Sequence, residues 1–168
     1  ILLLTFLSGI PALIYEIMWM RMLSQLLGST IVAISIITAT FMLGLSLGSY
    51  LFGLYADKVK RYLRLYAWLE FGIGLSASIF PLALTFIKEN KLSLLPFSSS
   101  QYTLFIIQKI VFSSIILLVP TILMGGTLPV ISRFIHRNLA TAGRKLGHLY
   151  SFNIVGSILG CVLASFLM

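Results

Sequence analysis

Residues 44–64, GLSLGSYLFGLYADKVKRYLR, decide the fold. An apolar run carrying glycines gives way to Asp57, Lys58, Lys60, Arg61 and Arg64, and another apolar run begins at once. Four cations between two hydrophobic segments of membrane length mark a cytoplasmic turn, because Lys and Arg are retained on the inner side of a bilayer. The rest of the chain is threaded outward from that turn.

Composition points the same way. The 168 residues are 59% hydrophobic and only 10% charged, with mean hydropathy +1.06. A soluble domain is roughly half apolar and a quarter charged, and water could not cover this surface. The net charge of +8 invites a nucleic-acid reading. The cations, however, sit at the ends of hydrophobic runs instead of along one polar face, so the positive-inside explanation is preferred and no nucleic-acid partner is expected. Cys161 stands alone inside an apolar run, which leaves no disulfide framework and reads as a small buried hydrophobe. The chain opens on Ile1 and stops at Met168 within an apolar run, and is read as a fragment of a longer polypeptide.

Five stretches are long enough to cross a bilayer at about 20 residues per crossing, roughly 2–27, 31–56, 64–87, 103–126 and 146–168. No stretch alternates at period two, so the expectation is an all-α, polytopic transmembrane helix bundle forming one domain. Placing 57–64 inside puts residue 1 and 133–145 inside and 88–102 outside. The inside loops then hold Lys58, Lys60, Arg61, Arg64, Arg133, Arg137, Arg144 and Lys145, against Lys88 and Lys91 outside. That bias predicts a multi-pass protein of the inner membrane. His136 and His148 flank the second inside loop without a carboxylate or thiol at ligand spacing, so no metal site is expected.

Small residues recur at helical spacing in Gly44-x-x-x-Gly48, Ser49-x-x-x-Gly53, Gly74-x-x-x-Ser78 and Gly156-x-x-x-Gly160-x-x-x-Ala164. Such faces let another helix backbone approach closely. Pro120 and Pro129 bracket Thr121, Gly125, Gly126 and Thr127, which predicts a kink or unwound turn near the inner end of the fourth helix. Freed carbonyls and Thr127 could then line a cavity, or the stretch could act as a hinge. Asn153, polar inside the last span, is expected to form an interhelical hydrogen bond.

The intramembrane acids carry the chemistry. Tyr15-Glu16-x-x-Trp19-x-Arg21 sets Glu16 near the middle of the first span, where an ionised carboxylate is expensive and should face a cavity or a partner. Arg21 lies five residues on, about 7.5 Å along the axis and about 140° round, within reach of a long side chain. Glu16 is therefore either one half of an ion pair with Arg21 or a site for a cation or proton. Glu70 enters from the inner side and Arg21 lies near the outer one, roughly 15 Å apart in height, so Glu70 is assigned to Arg61, Arg64 or Arg133. Asp57 at the membrane edge also needs a partner, and Arg133 is the candidate at matching depth.

Two resemblances follow from these residues. Gly53-x-x-x-Asp57-Lys58-x-Lys60-Arg61, between the second and third helices, resembles the loop motif of the major facilitator superfamily, although Lys60 stands where that superfamily usually has a second glycine. The blocks LSGIPALIYEIMWMRMLSQLLGST, FMLGLSLGSYLFGLYADKVKRYLRLYAWLEFGIGLSA, PTILMGGTLPVISR and GRKLGHLYSFNIVGSILGCVLASFL together look like the membrane domain of bacterial multi-pass spermidine synthase-like proteins, itself similar to a major-facilitator half. Five spans would make that half incomplete. In that family the helices are fused to a Rossmann-like aminopropyltransferase domain that uses decarboxylated S-adenosylmethionine, so the resemblance implies a parent polypeptide connected with polyamines, the cofactor belonging only to a downstream domain.

These 168 residues are not expected to be the enzyme. Aminopropyl transfer needs a glycine-rich strand-to-helix loop and acids that orient and deprotonate an amine, and Asp57 is the only aspartate. The expected role is an anchor for the soluble domain that binds or passes a polyamine or other small cation. Tyr15, Glu16, Trp19, Arg21, Thr127 and Asn153 are the candidate binding residues, and Asp57, Lys58, Arg61, Glu70 and Arg133 form a structural charge network. A carboxylate beside aromatic faces attracts ammonium groups. The alternatives are half of a facilitator-type transporter with no enzyme attached, and a membrane scaffold with no small-molecule site.

Overall fold

The computed structural model describes residues 2–89, 102–135 and 139–167. They form five helices: α1 (Leu2–Leu27), α2 (Thr30–Ala56), α3 (Tyr62–Glu89), α4 (Tyr102–Ile135) and α5 (Leu139–Leu167). Each is long and apolar enough to cross a membrane, and no strand occurs among the described residues. The protein is an all-α transmembrane bundle. Its surface agrees: Trp68, Leu82 and Phe166 are 65%, 70% and 87% exposed on the outside of the bundle, an arrangement suited to lipid and not to water.

Local chemistry sets the helix ends. Gly28 closes α1 in the left-handed region at φ 70°, its N–H donating to the Ser24 carbonyl. Ser29 then caps α2 by accepting from the Val32 N–H. At the other end of α2, the N–H groups of Lys58 and Val59 donate to the carbonyls of Tyr55 and Ala56, and α3 starts at Tyr62. The expected turn is in place and short.

The fourth helix departs from expectation. It runs unbroken through Pro120 and Pro129 to Ile135, nine residues beyond the expected end of that span. Hydroxyls bonded along the same helix support it: Thr121 donates to Leu117 and Leu118, Thr127 to Met124 and Ser132 to Pro129. Pro120 itself is fully buried. Neighbouring helices and local Ser/Thr bonds are what let proline sit inside a membrane helix, so no unwound turn forms.

Packing is organised by two helix couples, α2 with α4 and α1 with α5, and α3 lies against α4. In the first couple, a Cβ added at Gly48 would collide with the Ile122 carbonyl, and one at Gly125 with the Leu45 backbone. In the second, a Cβ at Gly156 would collide with the Phe6 carbonyl, one at Gly160 with Ile10, and one at Gly9 with Asn153. Chain numbers rise together along both contacts, so both couples are parallel. Gly125 and Gly126 thus serve close approach, to Leu45 and Phe52, instead of loosening a turn. The Gly74-x-x-x-Ser78 face does not pack as expected. Gly74 has nothing within 4 Å of an added Cβ, and Ser78 donates to its own helix at Gly74.

Two apolar clusters close the bundle. Trp19, Leu23, Ile37, Phe80, Leu84 and Leu117 join α1–α4 towards one end. Ala56, Tyr66, Leu69, Val130, Ile131 and Leu149 join α2–α5 towards the end that carries the α2–α3 turn, hereafter the basic end.

Candidate functional site

At the basic end, the Arg133 Nη2 meets Asp57 Oδ1 at 2.5 Å, both side chains 46% exposed. Register explains the pairing. Gly48 lies beside Gly125 at an offset of 77 residues, and Asp57 with Arg133 keeps an offset of 76, about two and a half turns further along two parallel helices. The sequence expectation for Asp57 is met. A recess of about 460 Å³ opens beside the pair, lined by Tyr50, Gly53, Leu54, Pro129 and Ser132 as well as the two charges. Lys58 and Arg61 are exposed in the turn.

Glu70 is a correction. It answers none of the expected cations among the described residues. Its Oε1 accepts from Ser8 Oγ of α1 at 2.5 Å, and the Tyr66 side chain lies near both. Tyr66 and Glu70 are four residues apart and share a face of α3, which turns towards α1 and away from the basic turn. The depth argument separating Glu70 from Arg21 holds, since Ser8 lies thirteen residues, about 20 Å of helix, before Arg21.

The candidate binding residues are not brought into one place. Trp19 is 1% exposed and packs on Phe80 with ring centroids 5.4 Å apart, while Tyr15 stacks on Trp19 at 6.0 Å. Thr127 is committed to the Met124 carbonyl. Asn153 donates to the Thr5 carbonyl, and Ser157 to that of Gly9, so Asn153 makes the interhelical bond expected of it. Thr5 lies eleven residues, about 16 Å of helix, from Glu16. Arg21 is exposed further along α1.

Glu16 is half-buried and has no hydrogen bond or ion pair among the described residues. Seven residues beyond Gly9, it lies on nearly the same face of α1, the one that meets α5. It is a carboxylate inside a span with aromatic rings one residue before and three residues after it.

Comparison with known proteins finds no matching family model, no similar curated protein and no similar solved structure. The site is therefore read from its own geometry.

Two features escaped the sequence reading. Gly9 forms half of the α1–α5 contact, although Thr5-x-x-x-Gly9 has the same small-residue spacing as the motifs singled out in α2 and α5. The Ser8–Tyr66–Glu70 cluster joins residues about sixty apart in the chain, and nothing local announces such a contact.

Proposed function

We propose that this chain is the membrane module of a spermidine synthase-like protein, anchoring an aminopropyltransferase-like domain and taking a cationic amine at Glu16. The observation behind this reading is Glu16 itself, a half-buried carboxylate of a membrane-crossing helix with no partner among the described residues. Retaining such a group is expensive, and a function is the usual reason for it. An ammonium group would satisfy the carboxylate, and Tyr15, the preceding residue, is the candidate cation–π surface. Trp19 fixes the Tyr15 ring by stacking. The α2–α3 turn faces the cytoplasm in this reading, and the membrane is the inner one. Decarboxylated S-adenosylmethionine would belong to the soluble domain and not to these helices.

Titration of the purified chain in detergent with putrescine and spermidine tests the site. Saturable binding that disappears in Glu16→Gln is expected, and unchanged binding in that variant refutes the assignment.

A second reading, half of a facilitator-type transporter, draws on the Asp57–Arg133 pair beside Gly53. Uptake of a labelled polyamine into vesicles holding this chain alone would favour it. Binding without uptake favours the anchored module, and neither binding nor uptake leaves a scaffold.

A further inference from the structure

We infer that the basic end of the bundle holds a binding site for the phosphate of an anionic phospholipid headgroup. The inference is independent of the Glu16 reading. A recess of about 790 Å³ is lined by Lys60, Arg61, Tyr62, Arg64, Arg133 and Phe134, among others. Four cations share this wall with no acid among the described lining residues, and the neighbouring Asp57 offsets only one of them through Arg133. Guanidinium forks match the two free oxygens of a phosphodiester. The first turn of α3, which begins at Tyr62, has no acidic residue, so its positive end stays uncompensated beside the recess.

Position selects a lipid over a soluble anion. Tyr62 is the first residue of one membrane span and Phe134 the last of another, so the recess opens at headgroup height. Leu63 and Phe134 are exposed at its rim, where the glycerol and upper acyl carbons of a lipid would lie. A basic recess between helices at a membrane face is the general form of a headgroup site. Arg133 also lines the recess beside Asp57, so it is shared between its ion pair and the headgroup.

Native mass spectrometry of the full chain in detergent tests this, with phosphatidylglycerol as ligand, phosphatidylcholine as zwitterionic comparison and inorganic phosphate as competitor. One phosphatidylglycerol should be retained saturably, phosphatidylcholine should not, and millimolar phosphate should leave the complex intact. Arg61→Gln with Arg64→Gln should weaken retention by roughly thirtyfold. Arg144→Gln with Lys145→Gln removes equal charge from exposed positions of α5 outside the recess and should change it by less than about threefold. Lys60→Gln, in the turn, should cost about fivefold and covers the case in which the double variant fails to fold. Equal retention of both lipids, or equal loss in the two double variants, overturns the site. Displacement by phosphate overturns the lipid as its source.

Discussion

Glu16 and Asp57 are both carboxylates of membrane helices, and their surroundings divide them. Asp57 has Arg133 against it, yet both side chains are nearly half exposed, and such a pair contributes little once solvent screens it. Asp57→Asn should therefore lower unfolding stability in mixed micelles by less than about 1 kcal/mol. Glu16 is half-buried without a partner among the described residues. Glu16→Gln should raise the melting temperature, equivalent to about 1–2 kcal/mol, because an amide is cheaper to hold in that environment than a charge. A melting temperature lowered in Glu16→Gln would mean that the carboxylate has a stabilising partner after all.

The helix couples depend on glycine as an element-level device. At Gly48 and Gly156 the space a Cβ would fill holds a carbonyl of the facing helix, Ile122 or Phe6. Without a hydrophobic force between helices in lipid, this close backbone approach is much of what holds them together. Gly48→Ala and Gly156→Ala should each cost about 1–3 kcal/mol, read as lowered melting temperature. Gly74 and Gly147 face open space. Gly74→Ala and Gly147→Ala should be neutral or stabilising by up to about 1 kcal/mol, since alanine restricts the unfolded chain. Equal losses at all four positions would show that the glycines act through backbone freedom instead of contact.

At the scale of the molecule, the turn at 57–61 and the α1–α2 turn at Gly28 and Ser29 lie at opposite ends of α2. With Cys161 replaced by Ser, a cysteine at Lys60 should react with an impermeant maleimide from the cytoplasmic side, and one at Ser29 only from the other side. Labelling of Lys60→Cys from the outside would invert the threading. The helix count and the Asp57–Arg133 pair were both legible in the chain, because hydropathy and membrane depth can be read along a line. The length of α4 was misjudged because Pro120 and Pro129 look like breaks until the burial of Pro120 and the hydroxyl bonds of Thr121, Thr127 and Ser132 are seen. Glu70 was misassigned for a similar reason: depth limits the possible partners, but which face of α3 meets α1 is set by packing.

The amino-acid sequence alone determined five apolar helices and the short basic turn after Ala56, since each follows from hydropathy summed over one segment. Only the tertiary structure decided which helices pair, that Ser8 answers Glu70, and that Glu16 is left without a partner among the described residues. Helix rotation and register come from contacts between segments far apart in the chain, and carbonyls lodged against glycines at Gly9, Gly48, Gly125 and Gly156 fix them here.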